Sequence, residues 1–331
     1  MPLLDNKTPF AASYHIMPNA QGQDAVFLAA KATFNIGASW TLADEQVEPV
    51  NEDIYWGEPG KSSLRWPSDV HLPKPGTDIA ILAHAWAPEK KPVRSLDVRA
   101  QVAGREQTLR VWGDRVWREG AVGAPEPFES VPIRYEFAYG GRAANADGVQ
   151  VSSPANPVGR GFHPAPSAKA LEGQPLPNIE YPDQLISRPE DKPRPAGFGF
   201  IPPYWEPRFG DWGTYDEHWQ QNRAPYVPLD YQPRAQQAAH PDWVWDGYLQ
   251  GGEPVYLEHM HPGGPLSFEL PQVKLGGQAA FSGRPRQDLA FVLDTLVIDV
   301  DGMTLSLTWQ ASCVCNNDLH RLRSLTLGLK R

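Results

Sequence analysis

Proline and glycine punctuate this chain more densely than a helical protein can bear. It carries 35 prolines and 29 glycines, 64 of its 331 residues, against a usual share of about 12%. Proline removes a backbone donor and fixes φ, while glycine loses the most backbone entropy when ordered. A helical bundle or a doubly wound α/β fold needs many uninterrupted helices, so both are excluded. A chain of this length buries roughly 75% of its unfolded surface. With a hydrophobic fraction of 41%, it can build a core without staples.

The net charge is −9 and the pI about 5.5, which argues against nucleic acid or an anionic membrane as partner. The longest apolar stretches, Ala25–Phe34 and Ile79–Trp86, are strand-sized and interrupted by Lys31 and His84, so no membrane insertion is expected. The opening MPLLDNKTPF lacks a basic region followed by an apolar run, so no signal peptide is expected. Two cysteines, Cys313 and Cys315, make no disulfide framework. The expectation is a cytoplasmic protein without a cofactor.

Strand patterns dominate residues 10–141 and 250–331. Asp24–Ile36 is largely apolar, and Arg94–Val102 alternates before the Ala103–Gly104 turn leads into Thr108–Trp112. Ile133–Tyr139 alternates again. Near the other end, Leu293–Val300 and Met303–Trp309 flank Asp301–Gly302, read as a two-residue type I′ turn. Leu325, Leu327 and Leu329 alternate with small or polar residues, which predicts a last strand. Between the ends, 142–249 is proline-rich and aperiodic but rich in tryptophan, unlike a disordered linker. One short helix is expected there, opened by a capping box Thr214-Tyr-Asp-Glu217. The fold class is mainly β: one domain over 1–331, its sandwich or barrel-like core shared by both ends, with long irregular loops and one or two short helices.

Local chemistry is sparse. Gly57-Glu-Pro-Gly-Lys-Ser62 has two residues between its glycines where a phosphate loop needs four, and one is proline. His259 and His261 share a spacing used by metal sites, but no glutamate follows at the distance a cupin needs, and help from His84, His163 or His240 would be required. Cys313 and Cys315 lack a second cysteine pair and read as core or surface thiols. Neither a GxSxG elbow nor an HExxH helix occurs, and no local feature selects a glycosidase carboxylate pair. No enzyme is expected. The alternative is a carbohydrate-active or metal-dependent β-fold enzyme, or a carbohydrate-binding protein whose tryptophans stack on sugars.

A series of short motifs nevertheless occurs in a recognisable order. They are Lys31-Ala-Thr-Phe34, Trp56–Arg65, Lys74-Pro-Gly-Thr-Asp78, Gly113-Asp-Arg115, Tyr139-Gly-Gly141 and Asn156–Gly161. Leu176–Glu180, Ala196-Gly-Phe-Gly199, Gly213–Glu217, Gly251–Pro254 and Leu293-Asp-Thr295 complete them. Together they resemble the bacterial domain-of-unknown-function family 2169 over about residues 10–310. The resemblance implies a cytoplasmic, non-enzymatic adaptor or chaperone of type VI secretion. Its implied partners are an effector toxin and spike-tip proteins of the valine-glycine-repeat or proline-alanine-alanine-arginine-repeat type. It supplies no catalytic residues. From the residues themselves, Trp205, Trp212, Trp219, Trp243 and Trp245 are candidates for a protein-binding face. Leu325, Leu327 and Leu329 are candidates for an unpaired edge open to strand addition.

Overall fold

Alternation along one strand divides the molecule into two sides. Asp24–Asn35 sends Val26, Leu28, Ala30, Ala32 and Phe34 into the main core and turns Phe27, Lys31 and Thr33 the other way, yet almost all of it is buried. A strand covered on both faces must be central, and this one is. It lies in a seven-stranded sheet in the order 244–246, 76–82, 292–299, 304–314, 24–35 and 11–18, with 41–42 paired to the free end of 24–35. Only 76–82 and 292–299 run parallel. The computed structural model describes residues 1–165, 167–315 and 317–330, and strands far outnumber its short helices.

Two smaller sheets close the inner face. One has five strands, ordered 179–180, 105–112, 95–102, 254–258 and 266–269, and the other four, ordered 3–6, 322–329, 275–281 and 287–289. Val98, Ala100, Leu109, Val111, Val255 and Leu257 from the first, and Leu275, Ala279, Leu325 and Leu327 from the second, join the large sheet in one cluster. Strands from both ends of the chain therefore share one layered core, and no described sheet closes into a barrel. The irregular middle also enters the sheets, giving 179–180 to one edge and 244–246 to another.

The turns differ from the sequence reading in two places. Ala103 and Gly104 both take positive φ between strands registered Val102 to Arg105, so the expected hairpin is there and its turn is type I′. At Asp301–Gly302 the last pair is Asp299 with Thr304, so the loop has four residues, and Met303 takes the left-handed conformation. Val300 donates instead to the Leu82 carbonyl, a tertiary bond that pulls it out of the hairpin. The helix Glu217–Asn222 is capped by Asp216, which accepts from the Trp219 amide. Thr214 lies two residues before the cap position, and its hydroxyl and amide both donate to Asp230.

The last strand is not an edge. Leu322–Leu329 pairs in parallel with Leu3–Asn6 and antiparallel with Leu275–Phe281. Leu325 and Leu327 have no exposed surface, and only Leu329 is exposed. The strand-addition expectation is corrected: its alternation marks an inward face already paired on both sides.

Candidate functional site

The inner face of the large sheet is apolar, while its outer face carries a buried polar patch between apolar clusters around Phe27 and around Ala80, Leu82 and Val297. Lys31, Thr33, Asp78, Thr295, Ser306, Thr308 and Gln310 lie in this patch, all buried. Asp294 joins them because the register shifts between Leu293 and Thr295, a bulge that re-aims its side chain. Lys31 Nζ donates to Asp69 Oδ2 at 2.6 Å, and Lys74 Nζ meets Asp78 Oδ2 at 2.9 Å. Lys74 also donates to Thr295 Oγ1 at 2.7 Å, which donates to Asp294 Oδ1 at 2.9 Å. His71 Nε2 lies 3.4 Å from Asp294 Oδ2.

Burying isolated charge is costly, and both buried lysines are held by a carboxylate, Lys31 by Asp69 and Lys74 by Asp78. Burial pushes the Asp294 carboxyl up to about 6, with Lys74 opposing. Burial and the Lys74 charge hold His71 well below its ordinary value, so it is neutral. Burial works to lower Lys74, but Asp78 and Asp294 outweigh it and hold the ammonium form. Asp78 Oδ1 and Asp294 Oδ2 have no hydrogen-bond partner among the described residues.

A second buried cluster sits at the edge of the five-stranded sheet. Arg115 pairs with Glu180 at 2.5 Å, and Glu180 also accepts from Trp112 Nε1 and the Ile186 amide. Asn178 joins Asp114 to Arg160, and Asn156 donates to the carbonyls of Tyr135 and Tyr139. Gly140 has φ 147°, and a Cβ there would lie 2.2 Å from the Asn156 carbonyl oxygen, so only glycine fits.

The tryptophans separate into two groups. Trp205 and Trp243 are fully buried: Trp205 meets Tyr135 edge-on, and Trp243 meets Phe198 edge-on and donates to Gln107. As surface candidates these two are corrected, because aromatic bulk here fills the cover over the sheets. Trp212, Trp219 and Trp245 are half-buried, against Tyr231, Tyr215 and Arg105 respectively. The exposed large apolar side chains of this segment are Val149, Tyr204, Phe209, Tyr215 and Leu229, none of which the sequence reading selected.

The metal candidates do not converge. His259 lies beyond the end of its strand with positive φ and its Nδ1 on the Asp97 carbonyl, while His261 Nδ1 accepts from the Gly263 amide. Among the described residues, no group of three histidine, cysteine or acidic side chains is placed to hold a metal. Cys313 and Cys315 are buried free thiols, and burial pushes Cys313 up to about 11.

Two adjoining cavities of about 350 and 300 Å³ open under the middle segment and share Ile201, Pro207 and Pro241. Arg105, Arg208 and Arg234 line the first.

The fold and these clusters define a layered β domain with charged networks sealed inside it and a proline-rich cover outside. The chain belongs to the family described as an uncharacterized protein conserved in bacteria, DUF2169, whose model matches residues 21–310. No curated protein and no solved structure matches the chain. No described helix is long and apolar enough to cross a membrane. Lys31, Lys74, Asp78, Asp294, Arg115, Asn156 and Glu180 lie within the motifs that carry the family resemblance, and they form the cores of the two buried clusters. The sequence reading assigned no chemistry to those motifs. The available signal was a charge inside a strand-like apolar run, as at Lys31 and Asp78.

Proposed function

We propose that this chain is a cytoplasmic, non-enzymatic adaptor or chaperone of type VI secretion. It binds a toxic effector and helps load it onto spike-tip proteins of the valine-glycine-repeat or proline-alanine-alanine-arginine-repeat type. The observation that carries the binding role is the surface of the middle segment. Phe209 is 62% exposed and Leu229 83%, with Tyr204 and Tyr215 about half exposed beside them in sequence. Large apolar side chains left in water on a segment held by internal bonds, such as Thr214 to Asp230 and Arg234 to Asp211, suit a protein partner. The secretion context rests on the motif resemblance.

The test is co-purification of the tagged full chain with the proteins encoded beside its gene, repeated at raised salt. Salt-resistant recovery of a toxin or a spike-tip protein, lost in a Phe209→Ser/Leu229→Ser double variant with unchanged thermal unfolding, is the expected result. Recovery of neither protein by the wild-type chain overturns the reading.

A further inference from the structure

His71 lies on the loop between Asp69 and Lys74, buried against the outer face of the large sheet. Its Nδ1 stands 2.8 Å from the Leu72 carbonyl. A carbonyl can only accept, so Nδ1 carries the hydrogen and Nε2 of the neutral ring is a bare lone pair. That lone pair faces Asp294 Oδ2 at 3.4 Å. Asp294 Oδ1 already accepts from the Thr295 hydroxyl at 2.9 Å, whereas Oδ2 has no hydrogen-bond partner among the described residues. The Gln310 amide, 3.4 Å from Nε2 and 3.2 Å from the Asp69 carbonyl, serves those two acceptors. Two acceptors thus meet where both side chains are withdrawn from water, and an ionised oxygen left unbonded there is costly.

The charged groups around the pair do not fill the gap. Lys74 gives its described bonds to Thr295 and Asp78, and Lys31 is held by Asp69. Asp69 and Asp78 work with burial to keep Asp294 protonated, and Lys74 opposes them. Burial, Lys74, His15 and Arg208 all act against a charge on His71. Both sets of forces put a proton on the carboxyl rather than on the ring. The same loop also lines a cavity of about 270 Å³, where His71 and Leu72 are joined by Pro225, Tyr226 and Val227 of the proline-rich cover. His71 therefore connects the centre of the sheet to the cover.

We propose that a single proton, carried by Asp294 Oδ2 and accepted by His71 Nε2, latches the loop 69–74 to the strand 292–299, and that its release frees the loop and the cavity it lines. On release the proton passes to bulk water, Asp294 becomes a carboxylate, and two lone pairs face each other. With the carboxyl raised to about 6, the latch is closed below that pH and open above it. This device stands whether or not the chain is an adaptor.

The tautomer is read on the full wild-type chain with isotope-labelled histidine, by long-range proton–nitrogen magnetic resonance, the His71 signal being assigned by its loss in His71→Gln. His71 stays in the Nδ1–H form from about pH 5 to 7.5, and its Nε2 shift moves once, near about pH 6. Amide exchange of 69–74, corrected for the intrinsic rate at each pH, reads the latch. Opening returns Asp294 to water and its ordinary value, so the opening constant rises about tenfold between about pH 5 and 7.5. In Asp294→Asn the side-chain oxygen still accepts from Thr295 and its amide offers His71 a permanent donor. Both responses then vanish and the loop stays protected. An Nε2–H tautomer in the wild type overturns the proposal even where the variant fails to fold. Level exchange of the loop across this range, or an unchanged pH response in folded Asp294→Asn, overturns it as well.

Discussion

Lys31 and Asp69, 38 residues apart in sequence, meet at 2.6 Å with both side chains almost wholly withdrawn from water. Asp69 also accepts from the Val50 amide, so this one carboxylate ties two loop segments to the centre of the large sheet. Removing one partner of a buried pair strands the other charge and costs about 3–5 kcal/mol. Lys31→Met is therefore expected to destabilise the chain by that order in urea unfolding. The double variant Lys31→Met/Asp69→Asn, with no stranded charge, recovers a measurable part of the loss. Equal loss in the single and double variants would show that the charge on Asp69 is not what Lys31 compensates.

Two neighbours in the outer-face cluster, Asp294 and His71, contribute to the pH dependence with opposite sign. Asp294 is raised from 3.8 to about 6 in the fold. Between those values the folded carboxyl holds a proton that the unfolded one has released, so its contribution to stability is present at low pH and lost as pH rises to about 6. His71 is lowered by burial, and its contribution is lost as pH falls below its ordinary value of 6.5. Lys74, Asp78 and Asp69 also act on these groups. Asp294→Asn removes the first contribution only. The unfolding free energy of the variant, relative to wild type, should rise steadily between about pH 4 and 6, and a flat difference over that range contradicts the assignment.

Leu325 and Leu329 lie two pleats apart on one strand and should respond differently. Leu325 has no exposed surface, whereas Leu329 is 55% exposed. Leu325→Ala costs about 2–5 kcal/mol through transfer and cavity terms. Leu329→Ala stays within about 0.5 kcal/mol. Similar losses in chemical denaturation would be inconsistent with a strand sealed between two neighbours.

The buried and exposed aromatics of the middle segment give a further contrast. Trp205→Ala and Trp243→Ala each lower stability by about 3–5 kcal/mol, so any loss of cargo binding follows loss of fold. Phe209→Ser leaves the thermal midpoint within a few degrees and weakens cargo capture. The pair of readouts, calorimetry and co-purification, separates packing from recognition. A Phe209→Ser protein that captures cargo normally removes this side chain from the interface.

Strand period and composition made the β class and the longer alternating strands such as Asp24–Asn35, Ser95–Val102 and Thr304–Val314 legible, because alternation needs only local sequence. The turn at Ala103–Gly104 was legible for the same reason. Alternation misled at Ile133–Tyr139, where Tyr135–Phe137 forms a 3-10 turn. What escaped was set by distant contacts: the Val300 amide drawn to Leu82, Thr214 drawn to Asp230, and the pairing of Leu322–Leu329 with Leu3–Asn6. The buried networks were half visible, since Lys31 and Asp78 sit inside apolar runs, but Asp69 and His71 lie in a loop with no period. Tryptophan was a poor guide to the surface, since the same bulk that suits an interface also seals a cover over a sheet.

The pairing of Asp24–Asn35 with Thr304–Val314 also governs when the protein can form during its own synthesis. Thr33 and Ser306 touch across 273 residues of chain, so the central strand has no partner on that side until residues 304–314 have left the ribosome. Closing so long a loop is slow, and the apolar run Ala25–Ala30 waits in the open meanwhile. Until that pairing forms, the central strand is an open edge available to wrong partners, so this topology places its weakest moment in synthesis rather than in the finished fold.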